Sequence, residues 1–194
     1  MSANALMTNE LTAAVALLHA HGADDAELVS IRGLEALVAG ALLGAGKRAW
    51  AFPGHRERAC ALLRGASADR LDAARPYRVV PPGKSPAARA MQAVGAALAS
   101  GERALVFCGT GSTAYGGFTE ALARAGATQA SVTFLVSWYA APGPFEAAHP
   151  DGVCGLARAV GVTAVQVDGN DAAAVHAAVA GATGPTLVEA RLNG

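Results

Sequence analysis

An α/β fold with a mostly parallel sheet and helices on both faces is predicted by three observations. Apolar runs of strand length at 104–108, 132–136, 162–167 and 186–190 alternate with segments of helical spacing. Strands separated in this way imply parallel crossovers and a covered sheet. The run 104–108 breaks into Gly109-Thr110-Gly111-Ser112, after which Phe118, Ala121, Leu122 and Ala125 recur at helical intervals. That is the signature of strand, Gly-rich turn and helix. Finally, 194 residues suit one domain with a substantial core, taken here as 1–194.

Along the chain, helical spacing covers 5–20, 32–44, 54–65 and 86–99, with a strand at 48–52 between the second and third. Residues 1–27 read as an N-terminal helical extension. Residues 75–89, interrupted by Pro76, Pro81, Pro82 and Pro86, read as an exposed loop in which Arg78 and Lys84 are solvated. The four later strands follow with helices between them. In such sheets ligands bind beyond the carboxyl ends of the strands, where Thr110, Trp138 and Asp168 all fall.

Composition narrows the function classes. Fifteen basic residues balance fifteen acidic ones, so there is no electrostatic footprint for nucleic acid. Hydrophobic content is 53%, much of it alanine, but no apolar run reaches the roughly 18 residues a membrane span needs. The N-terminus has neither the basic start nor the cleavage signature of a signal peptide, and a cytoplasmic protein is expected. Three widely spaced cysteines without a Cys-x-x-Cys pair argue against disulfides and structural zinc, and fit a reducing compartment. Cys108 reads as a small apolar core residue, and the five histidines form no metal cluster.

The Gly-rich turn carries the chemistry. Backbone N–H groups there can approach a diphosphate, and the helix N-terminus favours negative charge. Residues 109–114 also fit the Gly-x-Gly-x-x-Gly/Ala dinucleotide fingerprint, which makes a Rossmann-like protein one alternative. That fingerprint asks for an acid about 20 positions on, and none lies between Glu120 and Glu146.

The stretch 105–139 (LVFCGTGSTAYGGFTEALARAGATQASVTFLVSWY) resembles the alpha subunit of the thiamine-diphosphate-dependent, decarboxylating component of 2-oxoacid dehydrogenase complexes. The likeness continues through 155–191, with the turn Val167-Asp168-Gly169-Asn170-Asp171 and a closing GPTLVEA strand. Upstream, 28–43 is similar to the family's Ser-Ile-Gly-Gln-Glu-Ala helix and 52–65 to its Tyr-Arg segment. The resemblance implies the thiamine-diphosphate-binding fold. It also implies that Arg56 contacts the cofactor diphosphate with His55 beside it in place of a tyrosine, and that the backbone of Gly109, Gly111 and Ser112 forms the diphosphate turn.

In the family the turn reads Gly-Asp-Gly and the second strand ends in Asn-Asn. The Asp, an Asn and a main-chain carbonyl hold the Mg²⁺ that bridges the diphosphate. Here Thr110 replaces the Asp, and Trp138 and Tyr139 replace the Asn pair. Mg²⁺ wants charged or amide oxygens in octahedral geometry. Thr110 offers one neutral hydroxyl, and Trp138 only an N–H donor. Tyr139 carries its oxygen at the far end of a rigid ring, where a short amide should reach, so Thr110 is the best-placed residual metal-side oxygen, and the Mg²⁺–thiamine diphosphate site is expected to be degraded.

In the family the glutamate that activates the cofactor comes from a beta subunit, so the chain is expected to be inactive alone or dependent on a beta-like partner, or to assemble with itself. A non-catalytic scaffold or regulatory subunit is the second alternative, with Phe118, Leu122, Trp138 and Tyr139 filling the vacated pocket or a subunit seam. The family's long excursion at 74–91 and its C-terminal region are expected to be missing.

Overall fold

The computed structural model describes residues 3–24, 31–83, 85–139, 149 and 152–192. Five parallel strands form one sheet in the order β1-β2-β3-β5-β4. They are β1 (Trp50–Phe52), β2 (Ala104–Gly109), β3 (Val132–Tyr139), β4 (Thr163–Asp168) and β5 (Thr186–Leu192). The helices are α1 (Ala3–Asp24), α2 (Glu35–Ala45), α3 (Pro86–Ser100), α4 (Gly116–Thr128), α5 (Cys154–Ala159) and α6 (Ala172–Ala180). No described helix is long and apolar enough to cross a membrane.

Chain order decides which face each helix covers. From β1 through β2 and β3 to β4 the chain steps one way across the sheet, whereas β4 to β5 steps back. Right-handed crossovers then put α3, α4 and α5 on one face and α6 on the other. The period of two in the strands matches this. Val106, Phe134, Val136, Trp138 and Leu187 belong to the core that holds Phe118, Leu122, Cys154 and Ala157. Leu105, Phe107, Leu135 and Val188 join Leu18, Leu37, Val175 and Val179 on the other face. Helix α2 lies tight against α6: a Cβ on Gly40 would fall 2.4 Å from the Ala172 carbonyl oxygen, and one on Gly44 2.7 Å from that of His176.

The parallel α/β architecture and the four later strands match the sequence reading, and the differences have physical reasons. Strand β3 runs on to Tyr139 because its ladder with β5 continues to Tyr139↔Leu192, so Trp138 and Tyr139 are strand residues. The helix expected at 54–65 is instead a 3-10 segment over Arg58–Arg64. The Glu57 carboxylate folds back on the Gly54 N–H, 3.0 Å away, which ties off the first turn, and Gly65 closes the segment in left-handed conformation. The segment 75–89 is only partly an exposed loop. Val79 is buried and bridges to Ala51 beside the short β1, while α3 begins at Pro86. Arg78 is not simply solvated. Its guanidinium lies 5.2 Å over the Trp50 ring and bonds the Arg48 carbonyl at 2.9 Å. Lys84 lies outside the described residues.

Candidate functional site

Phe52, Gly109 and Tyr139 end three adjacent strands, so the segments that leave them share one rim. The Gly-rich turn there is a 3-10 segment, Thr110–Ala114, and α4 starts only at Gly116. Tyr115 occupies the N-cap position of α4 and provides no side-chain cap. Thr113 donates to the Thr110 carbonyl at 2.7 Å, which tightens the turn. Ser112 is buried, while Gly109 and Gly111 are half-buried. Gly109 has ordinary extended backbone, φ −80° and ψ 163°, so no left-handed conformation demands glycine there.

Thr110 stands opposite Trp138, one step past the last backbone pair, Gly109↔Ser137. Its hydroxyl donates to the Ser137 carbonyl at 3.0 Å and accepts the Tyr139 N–H at 3.2 Å. Those are the two backbone groups that a strand residue facing Trp138 in a parallel ladder would bond. The side chain thus supplies an extra rung between β2 and β3.

Arg56 reaches the same rim from the segment after β1. Its Nη1 donates to the Tyr139 hydroxyl at 2.8 Å, and its guanidinium carbon sits 5.4 Å from the centre of that ring. Its Nη2 lies 3.4 Å from the Arg32 carbonyl oxygen. A cation over an exposed aromatic face contributes about 0.5–1 kcal/mol. His55, next in sequence, is exposed. The structure therefore brings together Arg56, Thr110 and Tyr139.

Trp138 faces the other side of the sheet and is 2% exposed. The Arg191 guanidinium, on its register partner in β5, sits 5.2 Å over the indole. Arg191 is in turn paired at 2.6 Å with Glu189, which is wholly buried. The Glu189 carboxylate also accepts the Val153 N–H at 2.6 Å and Gln166 Nε2 at 2.8 Å. Phe118, Leu122 and Trp138 are thus core residues rather than a seam.

Beneath the rim lie two buried ionisable side chains that no sequence pattern singles out. Glu57 and Arg89 are 6% and 7% exposed, and both crowd Gly54, where a Cβ would fall 2.5 Å from Glu57 Oε2 and 3.3 Å from Arg89 Nη2. Arg89 Nε donates to the Phe107 carbonyl at 3.2 Å. Burial pushes the Glu57 carboxyl up, against the pull of the Arg89 and Arg56 guanidinium groups. Burial also pushes the Cys108 thiol up to about 12, which suits a core residue and not a nucleophile. Gly117 lets α4 approach α3 closely, since a Cβ there would lie 3.0 Å from Ala87 Cβ.

A divalent ion does not fit this donor set. The Thr110 hydroxyl is neutral and spends its proton on Ser137, Trp138 is buried under an arginine, and the Tyr139 oxygen already accepts from a cation. Among the described residues no group of three or more His, Cys, Asp or Glu is placed to hold a metal.

The parallel sheet with its strand-end rim is an α/β ligand-binding architecture, and its likeness to solved structures shows which one: the thiamine-diphosphate-dependent enzyme fold. Transketolase from Campylobacter jejuni superposes with a TM-score of 0.67 at 17% identity, over 94% of this chain and 37% of that one. A putative thiamin diphosphate-dependent enzyme from Mycobacterium smegmatis superposes with a TM-score of 0.54 at 17% identity, over 80% of this chain and 31% of that one. The chain thus spans about a third of the length of either. No curated protein matches it significantly. The family model of the dehydrogenase E1 component matches residues 78–190, more than half of the sequence. The chain belongs to that family.

Proposed function

We propose that this protein is an alpha-subunit-like member of the E1 family whose Mg²⁺–thiamine diphosphate site has lost its metal chemistry, so that it is inactive alone or works only beside a beta-like partner. One observation carries this reading. The positions of the family's Asp and Asn pair hold Thr110, Trp138 and Tyr139, and each is committed to a contact within the chain.

Any residual affinity for the cofactor is assigned to Arg56, with His55 beside it, and to the backbone of Gly109, Gly111 and Ser112. Thr110 is left as the weak metal-side oxygen. The chain acts as one domain in the cytoplasm and assembles with itself or with a beta-like chain. The family match and the thiamine-enzyme neighbours support the lineage.

Calorimetry tests this reading. Titration of the purified chain with thiamine diphosphate and Mg²⁺ is expected to give no saturable heat in the micromolar range, and micromolar, metal-dependent binding by the chain alone overturns the proposal. A clean monomer in concentrated gel filtration overturns the self-assembly part.

A further inference from the structure

We infer that Thr110 is a metal-excluding residue: its hydroxyl joins the ends of β2 and β3 as a rung of the sheet and so does the bridging without an ion. The inference rests on the reading of the rim as a site that has lost its metal, and goes beyond loss to replacement. A site that had merely decayed would leave strand ends splayed or polar groups unmatched. Here the hydroxyl acts as donor and as acceptor in register, donating its proton to the Ser137 carbonyl and accepting the Tyr139 N–H. A valine could do neither.

The opposite substitution shows why the rung and an ion exclude one another. An ionised aspartate only accepts hydrogen bonds. Placed at 110, it would still take the Tyr139 N–H but would present a charged oxygen to the Ser137 carbonyl oxygen, and that contact needs a cation between them. Threonine removes the need by putting a proton there.

The flanking positions reinforce the exclusion. Tyr139 is held by Arg56 on one face of the sheet and Trp138 is covered by Arg191 on the other, at 5.4 and 5.2 Å from ring centre to guanidinium carbon. The Arg56 guanidinium at the strand end disfavours a further cation there, whereas the charge of Arg191 is offset by its pairing with Glu189. Ser137 adds a backbone tie at the preceding position, its hydroxyl donating to the Cys108 carbonyl at 3.4 Å.

Thermal unfolding of the whole chain, in EDTA and in millimolar Mg²⁺, tests the inference together with amide exchange at Tyr139. Wild type is expected to unfold at the same temperature in both buffers. Thr110→Val, which keeps the shape and loses both bonds, is expected to lower the midpoint by about 2–4 °C. It should also speed exchange of the Tyr139 amide. Thr110→Ser, which keeps the hydroxyl, is expected to retain that protection, and Thr110→Asp to fall below Thr110→Val in EDTA.

A wild-type midpoint and unchanged Tyr139 protection in Thr110→Val overturns the inference, as does a rise of the wild-type midpoint with Mg²⁺. If Thr110→Asp does not fold, the Val and Ser variants still decide. Calorimetric binding of Mg²⁺ and thiamine diphosphate by the chain alone would defeat the degraded-site reading. Loss of midpoint in Thr110→Val without any metal binding separates the two.

Discussion

The turns that leave β2 and β4 sit at the same edge of one sheet and each leads into a helix, yet they are built by opposite means. The β4 turn is closed by its own carboxylates. Asp171 Oδ1 accepts the N–H groups of Ala173 and Ala174 at 2.9 and 3.1 Å, and Asp168 Oδ1 accepts those of Asn170 at 2.8 and 3.0 Å. Gly169 ties the turn to β5 by donating to the Arg191 carbonyl at 2.7 Å. The β2 turn has no acid at all. Hydroxyls bond it to the chain, and the helix after it begins without a side-chain cap.

The difference teaches where a ligand could have been. A helix N-terminus whose Ala173 and Ala174 N–H groups already bond an aspartate does not hold those two donors open to an anion. One left uncapped still does. The family resemblance puts the diphosphate at the uncapped turn, and the contrast with α6 gives that placement a physical basis within this molecule. On the function proposed above, the metal side of the site has closed while the helix side has not.

Glycine separates the two turns most sharply, and the largest expected effect lies there. A Cβ at Gly169 would fall 2.9 Å from Leu192 Cδ2 and 3.0 Å from the Arg191 carbonyl oxygen. The leucine can shift, but the carbonyl belongs to the β5 backbone. Gly169→Ala is therefore expected to destabilise the fold by about 1–3 kcal/mol, the ordinary cost of overpacking. Urea unfolding checks this, and a value near zero would mean that the turn is not seated on β5.

Next in size is the cap. Asp171→Ala frees two helix N–H groups, and the expected loss is about 1 kcal/mol. Asp171→Asn, which can still accept, is expected to keep most of it. Equal losses in the two variants would assign the effect to charge rather than to the hydrogen bonds.

Much of this was legible in the sequence, and the limits are instructive. Apolar runs and helical spacing located β2 through β5 because local pattern decides those elements. The rim position of Thr110 follows from its place at the carboxyl end of a strand, and the presence of Arg56 there from the resemblance. The pairing of Arg56 with Tyr139, 83 residues apart, was not legible, nor was the stacking of Arg191 on Trp138, because each depends on strand register. Glu57 stands in the charged run His55-Arg56-Glu57-Arg58, which carries no mark of burial, and the turn that replaces the expected helix holds it inward. Arg89, on the first turns of α3, was hidden for the same reason: the pocket that receives it is made by Gly54 and β2.

The smallest expected effect is at Gly109, and it sharpens the contrast with Gly169. Gly109 has an extended conformation open to any residue, and the nearest atom to a Cβ there is Ser137 Oγ at 3.9 Å, an ordinary contact. Alanine at that position loses nothing in the folded chain and restricts the unfolded one, so the expected change is between zero and a gain of about 1 kcal/mol. A turn kept only for its own fold has no use for this glycine; one kept for close approach of a diphosphate does. Stability alone should therefore not distinguish Gly109→Ala from wild type by more than that small gain, and a loss of more than about 1 kcal/mol, read from the same urea curves, would show a steric demand that the packing around Gly109 lacks.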